Sequence, residues 1–177
     1  VSRVAPGKVE HKAYGRLVMG SYGKGEVPMA LVEAFNRGGI SAKVTDNIQY
    51  ERWAKCIWNT PFNPTSVLAQ GADTLQMLDA PNGEATIRAM MHEVMAVAAA
   101  DGHILPADAV DKNIEVTRAM PAYRNSMALD YLAGRELELE AILGNVVAIA
   151  ERHQVPVPHL STLWGVLQMR FAPSQVE

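Results

Sequence analysis

Residues 53–64 read WAKCIWNTPFNP and place three polar side chains four positions apart in a segment that is otherwise apolar or uncharged. On a helix, this spacing lines Lys55, Asn59 and Asn63 along one face. A lysine is costly to bury unless its charge or its proton is needed, and neighbouring amides add hydrogen-bond donors and acceptors without a competing charge. The pattern therefore predicts one wall of a pocket for a small anionic, oxygen-rich ligand. An exposed polar face, with two tryptophans packed on the opposite side, is the alternative explanation.

The composition narrows the class of protein. The chain has 177 residues, of which 49% are hydrophobic, so one large domain, or a small domain with an appendage, can bury a core. The formal net charge of -3 gives no support for nucleic-acid binding, and no apolar run is long enough to predict a membrane span. The first residues lack both an initiator methionine and the order of a signal peptide, so we expect the chain to begin within a fold. The single cysteine, Cys56, excludes an internal disulfide and favours a reducing, cytoplasmic location.

Residues 1–46 differ from the rest of the chain. Two short segments bounded by glycine, at 8–14 and 16–19, predict a pair of strands, and residues 40–45 predict a third. Between them, Pro28 and Gly38 can open and close a helix. Because these elements are too few to close a core, they resemble the end of a larger α/β sheet.

From residue 47 onward the pattern is helical. Apolar residues recur at helical spacing, and glycine or proline bounds most of the segments concerned. Pro61 should kink or end the helix that carries Lys55, and Ser126 suits an N-cap. The predicted fold class is mainly α, with an all-helical domain at 47–177 that follows a small α/β piece at 1–46. The further predicted helices are 84–100, 106–120, 126–132, 139–150 and 161–171.

Other polar groups have ordinary explanations. The run Glu136, Glu138 and Glu140 opens a predicted helix, where carboxylates stabilise the helix dipole without any further role. The five histidines form no cluster with metal-ligand spacing, so no metal site is predicted. Glycines at 20, 23 and 25 have the reverse of the dinucleotide-binding spacing, which favours a plain turn. Cys56 adjoins Lys55, but helix neighbours point about 100° apart, so a structural role is predicted for its thiol.

Several of these residues together resemble a known family. The segment from Trp53 to Pro64 is similar to the start of the helical domain of ketopantoate reductases (2-dehydropantoate 2-reductases). Residues 6–20 resemble the last strands of the family's cofactor domain, so the resemblance covers essentially the whole chain. Later motifs follow in the family's order and spacing: Met91-His92-Glu93-Val94, Asp101-Gly102, Ser126-Met127-Ala128-Leu129-Asp130, Gly134-Arg135, Glu138, Gly144, and finally Pro156 and Pro158.

The resemblance implies a two-domain, cytoplasmic oxidoreductase. An N-terminal Rossmann domain would bind NADPH, and a C-terminal helical domain, of the type found in 6-phosphogluconate dehydrogenase, would bind a small 2-oxo acid. Hydride would pass to the keto carbon of ketopantoate and give pantoate for pantothenate and coenzyme A synthesis. By position, Lys55 matches the general acid and Glu138 the conserved carboxylate. Asn59, Asn63 and Ser126 match residues that hold the substrate's carboxylate and hydroxyl groups.

This assignment agrees with elementary chemistry. Hydride addition builds negative charge on the ketone oxygen, and an ammonium group can neutralise that charge and deliver a proton. The chemistry requires the ammonium of Lys55 and the carboxylate of Glu138 to converge on a shared cleft that solvent can reach.

Two positions depart from the family pattern, since Asp73 and Leu143 stand where relatives carry asparagine. They leave room for a paralogous reductase that acts on another 2-oxo acid. A non-catalytic helical module for dimerisation or interaction is the other alternative; nine methionines suit a partner helix in a homodimer, and core filling explains them equally well. The phosphate-binding glycine loop is absent from the sequence, so its cofactor-binding residues are unknown and we expect the chain alone to be inactive.

Overall fold

The computed structural model describes residues 2–10, 16–21, 23 and 25–171, which divide between two compact units, Val1–Glu51 and Arg52–Glu177. The described elements are mostly helical, which confirms the predicted fold class. The long helix α2 (Ile48–Leu68) begins one residue after the predicted domain start at 47, and the division between the units falls inside this helix.

The first unit contains two pairs of strands. β1 (Ser2–Ala5) and β2 (Lys8–Glu10) form an antiparallel hairpin, whereas β3 (Arg16–Met19) runs parallel to β4 (Ser41–Val44). The predicted pairing of the first two segments is therefore wrong for the described residues, because each strand has another partner. Residues 11–15 of the first segment lie outside the described residues. Helix α1 (Met29–Arg37) follows β3 as predicted.

Asn36 fixes the end of α1 to β4. Its side chain donates a hydrogen bond to the carbonyl of Ala42 (3.1 Å) and accepts one from the amide of the same residue (2.9 Å). Gly20, directly after β3, is needed for close packing, because a Cβ there would lie 2.6 Å from the Cβ of Ile48. The glycine-containing loop before α1 therefore begins with a residue whose small size serves packing.

The second unit is built from helices. In the described part of the chain, no helix is both long enough and apolar enough to cross a membrane. The predicted helices are confirmed within a few residues, and the last one begins at Pro158 because proline fits the first turn of a helix. After α2 come α3 (Thr74–Asp79), α4 (Gly83–Ala100), α5 (Ala109–Ala119), α6 (Ser126–Leu132), a π-helical turn (Glu140–Gly144) that leads directly into α7 (Asn145–Arg152), and α8 (Pro158–Phe171).

The core of this unit is centred on α4, which packs against α3, α5, α7 and α8. Burying a large apolar side chain contributes roughly 1.5–3 kcal/mol, so the inner face of α4 is a principal source of stability. The apolar stripe that the sequence predicts on this helix is fully buried and consists of Ile87, Met90, Met91, Val94, Val97 and Ala98.

Helix α2 continues through both Pro61 and Pro64, so the expectation that Pro61 could end the helix is wrong. Each proline removes one N–H from the helix, but this loss is local and tertiary packing holds the helix on both sides of it. Four side chains on α2 hydrogen-bond to other segments of the unit: Trp53 to Asp101 (3.0 Å), Trp58 to Thr117 (2.9 Å), Thr60 to the carbonyl of Ile142 (3.0 Å) and Ser66 to Asn125 (3.2 Å).

The carboxylate of Glu93, on α4, caps the start of α8. Its two oxygens accept hydrogen bonds from the backbone amides of His159 (3.0 Å) and Leu160 (2.9 Å), and Nδ1 of His159 lies 2.6 Å from the first oxygen. Because Pro158 has no N–H, these amides are the first donors of the helix, where a negative charge is favourable. Glu93 thus links two helices while only 9% of it is exposed.

The helix predicted over 139–150 contains a π-helical turn that the apolar pattern does not indicate. The amide of Asn145 bonds to the carbonyl of Glu140, five residues earlier, where a regular α-helix would span four. Space is short at the end of this turn, because a Cβ on Gly144 would lie 2.9 Å from the carboxyl carbon of Glu140 and 3.0 Å from the ring of Trp164. Glycine fits this position without displacing either side chain.

Candidate active site

The five predicted site residues all lie in the helical unit, on three segments of the chain. Lys55, Asn59 and Asn63 follow one another on α2, Ser126 is the first residue of α6, and Glu138 lies just before the π-helical turn. Exposure falls along α2, since Lys55 is exposed, Asn59 is half-buried and Asn63 is only 2% exposed. The helix therefore carries a charged group at the solvent and an amide in the interior.

Asn63 carries an unpaired acceptor. Its Oδ1 is buried and has no hydrogen-bond partner among the described residues. An unpaired buried polar atom costs about 1–3 kcal/mol, so a donor from a ligand or from solvent would stabilise this oxygen. The two prolines add acceptors nearby, because Pro61 and Pro64 have no N–H for the carbonyls of Ile57 and Thr60. This part of α2 is therefore rich in oxygen atoms that lack a helix partner.

Asn125, rather than Ser126, is the N-cap of α6, so the predicted cap is wrong. The side chain of Asn125 accepts a hydrogen bond from the amide of Ala128 (2.8 Å) and donates one to the carbonyl of Phe62 (3.3 Å). Asparagine caps helices as well as serine does, and here it also makes a tertiary contact. Ser126 is exposed in the first turn of α6, and its neighbour Asn125 bonds to the α2 segment that contains Asn63.

A short hydrogen-bonded path links α2 to Glu138. Oγ1 of Thr60 donates to the carbonyl of Ile142 (3.0 Å), and the amide of Ile142 donates to the carbonyl of Glu138 (3.0 Å). The side chains of Lys55 and Glu138 are both exposed, and neither has an ion-pair or hydrogen-bond partner among the described residues. Both charges are therefore available to a ligand, while their convergence on one cleft stays a prediction.

Cys56 has the properties of a structural cysteine. Burial raises the pKa of the Cys56 thiol, and the hydroxyl of Thr60, followed by the cations of Arg52 and Lys55, offsets this effect only in part. The thiolate is the reactive form of cysteine, so a raised pKa makes the residue a poor nucleophile. This finding agrees with the structural role predicted for Cys56.

The two departures from the family pattern have structural roles. Asp73 is the N-cap of α3, where its carboxylate accepts from the amide of Gln76 (2.9 Å) and the side chain of Gln76 accepts from the amide of Asp73 (2.9 Å). This reciprocal arrangement is a capping box. Leu143 is fully buried in the π-helical turn. Each of these residues therefore serves helix formation or packing at its position.

A groove with a volume of about 750 Å³ lies between residues 131–140 and α8. Its largely apolar walls include Leu137, Leu139, Trp164 and Phe171. Glu138 does not line the groove although both of its neighbours do, and the same is true of the other four predicted site residues. The groove therefore does not by itself bring the predicted site residues together.

Sequence reasoning misses two residues beside the predicted site residues that bond to other segments, Thr60 and Asn125. Each is adjacent in sequence to a predicted site residue, and each donates a hydrogen bond to a backbone carbonyl of another segment. The one sequence signal for Thr60 and Asn125 is that each adjoins a predicted site residue, Asn59 or Ser126. A pattern of side chains alone does not show which distant carbonyl a buried hydroxyl or amide will meet.

Comparisons with known proteins identify the family of this chain. The family model described as Ketopantoate reductase PanE/ApbA C terminal matches residues 47–171. A 2-dehydropantoate 2-reductase from Nostoc sp. is 30% identical over 174 residues, which cover 94% of this chain and 54% of that protein.

Solved structures show the same similarity. The crystal structure of 2-dehydropantoate 2-reductase from Methylococcus capsulatus matches with a TM-score of 0.88 at 45% identity, over 98% of this chain and 57% of that one. The enzyme of the same name from Geobacter metallireducens matches with a TM-score of 0.87 at 31% identity, over 96% of this chain and 57% of that one.

The fold and these matches place the helical unit among the C-terminal domains of reductases. The chain belongs to the ketopantoate reductase family, and its residues 47–171 correspond to the family's C-terminal domain. It spans about half the length of the curated relatives that it matches.

Proposed function

We propose that this chain provides the substrate-binding and proton-donating part of an NADPH-dependent 2-oxo acid reductase, with 2-dehydropantoate (ketopantoate) as substrate and pantoate as product. The observation that carries the proposal is the unpaired Lys55 of α2, in register with two asparagines and linked through Thr60 to the segment of Glu138. The names of the relatives support the choice of substrate.

In the proposed reaction, Lys55 neutralises the negative charge that develops on the keto oxygen and donates a proton to it. The ammonium has no described ion-pair partner, so no existing pair has to break before it acts. Glu138 accepts a hydrogen bond from this ammonium or from a hydroxyl group of the substrate. Both groups lie at the protein surface, where a small ligand can reach them.

The remaining polar groups hold the substrate in this proposal. The amide of Asn59 and the hydroxyl of Ser126 donate hydrogen bonds to the carboxylate of the substrate, because anions readily accept such bonds. The unpaired Oδ1 of Asn63 requires a donor, and the hydroxyl group of 2-dehydropantoate supplies one. Asparagines and serine bind an anion without adding a second positive charge to the site.

The sequence does not support a pyrophosphate site for the cofactor at the glycines of the first unit. The glycines at 20, 23 and 25 have the wrong spacing, and Gly20 is required for packing against Ile48. We therefore do not expect this chain by itself to bind NADPH stably; in the full-length protein, NADPH supplies the hydride when it is bound. For the same reason, we expect the chain by itself to give no turnover with NADPH and 2-dehydropantoate.

Two alternatives differ in what they require of the site. A non-catalytic helical module has no need for Lys55, Asn59 and Glu138 in this arrangement, so its function would survive their replacement. A reductase for another 2-oxo acid would need the same three residues and would differ in its preferred substrate. The homodimer considered from the sequence stays a prediction.

Replacement of Lys55 tests the proposed function. In the gene product that contains this chain, we expect Lys55→Ala to lower kcat with 2-dehydropantoate by about 10²–10⁴-fold, the usual contribution of a general acid, with little change in NADPH binding. Lys112→Ala is the control, since Lys112 is an exposed lysine of α5 that pairs with Asp108. A near-normal kcat in Lys55→Ala would remove Lys55 as the acid. Turnover of other 2-oxo acids only would support the paralogous reductase.

A further inference from the structure

We infer that Thr60 is a positioning residue, which sets the spacing between the helix that carries Lys55 and Asn59 and the segment that carries Glu138. This inference rests on the proposed function, because it concerns the geometry of the same site. It assigns a role to a side chain that has no contact with the reacting atoms in the proposal.

The environment of Thr60 is that of a tertiary anchor. Its side chain is fully buried on α2, directly after Asn59, and its Oγ1 donates to the carbonyl of Ile142 at 3.0 Å. Threonines inside helices usually donate to a carbonyl of their own helix, as Thr117 does to Asn113 in α5 (2.6 Å). The hydroxyl of Thr60 instead reaches a different segment, 82 residues away.

The acceptor lies in an irregular part of its own helix. Ile142 belongs to the π-helical turn, whose wider spacing changes the pairing of backbone carbonyls. Side chains that bond to helix carbonyls are a recognised cause of such irregularities. The hydroxyl of Thr60 therefore stabilises a turn that a regular helix would not contain.

A second hydrogen bond connects Ile142 to the residue that carries the predicted carboxylate, Glu138. The amide of Ile142 donates to the carbonyl of Glu138 at 3.0 Å, so two consecutive hydrogen bonds join Thr60 to the backbone of Glu138. At the other end, Thr60 and Lys55 are five residues apart on a continuous helix. A shift of the Thr60 contact would therefore change the distance between the two charged groups.

Kinetics of Thr60→Val test the inference in the complete gene product with NADPH and 2-dehydropantoate. Valine keeps the shape of threonine but removes the hydroxyl. We expect kcat to fall by about 10- to 100-fold, the effect of a small misplacement, with little change in the KM for the 2-oxo acid. Thr60→Ser restores the hydroxyl and should recover most of kcat.

Thr86→Val is the control, because the hydroxyl of Thr86 also donates to a backbone carbonyl, that of Asn82 (2.9 Å), at the start of its own helix α4. We expect this variant to keep its kcat. Unchanged kcat in Thr60→Val, or an equal fall in both valine variants, would overturn the positioning role.

Amide hydrogen exchange separates this inference from the proposed function, because it requires no activity. We expect the amide of Ile142, which bonds to Glu138, to exchange about tenfold faster in Thr60→Val, because its segment opens more readily once the bond from Thr60 to the carbonyl of Ile142 is lost, and to be unaffected in Thr86→Val. Unchanged exchange at Ile142 would overturn the inference even if Lys55 proves to be the acid. Faster exchange in an enzyme that does not need Lys55 would support the Thr60 anchor and overturn the proposed chemistry.

Discussion

Glu93 joins two helices through a single carboxylate, and its replacement is a prediction at the scale of one residue. Glu93→Ala leaves the amides of His159 and Leu160 without a partner. Because a hydrogen bond to a charged group contributes about 1.5–3 kcal/mol, we expect the free energy of unfolding to fall by about 3 kcal/mol. Glu93→Gln keeps one acceptor oxygen, so its free energy of unfolding should fall by less. Urea unfolding followed by circular dichroism measures both changes.

An exposed glutamate provides the control for this prediction. Glu115 lies on the surface of α5, so Glu115→Ala should change the free energy of unfolding by less than about 0.5 kcal/mol. Similar losses in Glu93→Ala and Glu115→Ala would show that the cap of α8 does not contribute to stability.

At this scale the sequence predicts residue types better than their partners. Lys55, Asn59 and Asn63 do lie on one continuous helix, as their spacing indicates. The cap of α6 was assigned to Ser126, because serine and asparagine are equally good caps by local criteria. The choice depends on the carbonyl of Phe62, which is 63 residues from Asn125 in the chain. Local patterns contain no information on such a contact.

At the scale of elements, two arginines join α3, α4 and α5. Arg88 bonds to Glu84 (2.7 Å) and Asp111 (2.6 Å), and Arg118 bonds to Glu84 (2.6 Å) and Asp79 (2.9 Å). The hydrogen bonds from Arg88, and then from Arg118, lower the pKa of Glu84 below its ordinary value of 4.5. Glu84 is therefore the centre of a charge network that connects three helices.

The lowered pKa of Glu84 gives a prediction for stability against pH. A depressed carboxyl pKa stabilises the folded state above the ordinary value, and this contribution is lost as the pH falls through the lowered value. We therefore expect wild type to be more stable than Glu84→Gln at about pH 7, and this difference to shrink at about pH 3. Urea midpoints at the two pH values measure the difference.

Two further variants check the cause of this pH dependence. In a background of Arg88→Gln and Arg118→Gln, Glu84 has lost the partners that lower its pKa, so the effect of Glu84→Gln should no longer depend on pH in this way. Adding salt should also weaken the contribution, because the network is partly exposed. A difference that grows as the pH falls would contradict the sign of the prediction.

Most helices of the second unit follow from the sequence, since apolar spacing and flanking glycine or proline are local signals. Two features do not follow. Helix α2 passes through Pro61 because its side-chain contacts with other segments outweigh the missing N–H. The π-helical turn accepts a hydrogen bond from Thr60 and has little space around Gly144, and neither feature produces a periodic pattern in the sequence.

At the scale of the whole molecule, the two units differ in the number of apolar side chains that they bury. Among the described residues of the first unit, Val32 is the one fully buried apolar side chain, and apolar side chains such as Met29 and Leu31 are exposed. The second unit contains the other buried apolar residues. Because two-stranded sheets are marginally stable without a core, the first unit should open more readily than the second.

Limited proteolysis of the chain tests this difference. We expect trypsin to cut first at Arg37 or Lys43, in the first unit, and to leave a resistant product that retains α2–α8. Mass spectrometry identifies the ends of that product. Arg88 and Arg118 lie within helices of the second unit and serve as internal controls, and early cleavage at either site would contradict the prediction.

The π-helical turn contains one residue more than a regular α-helical turn would need. Removing a single residue from it, such as Ala141, would allow an uninterrupted α-helix to run from Leu139 into α7. Because the π-helical turn accommodates one extra residue, this deletion should leave the chain on both sides near its present rotation about the helix axis, whereas the same deletion from a regular α-helix would rotate one side by about 100°. An in-frame deletion at this point should therefore disturb the packing of α7 less than a deletion inside α7 itself.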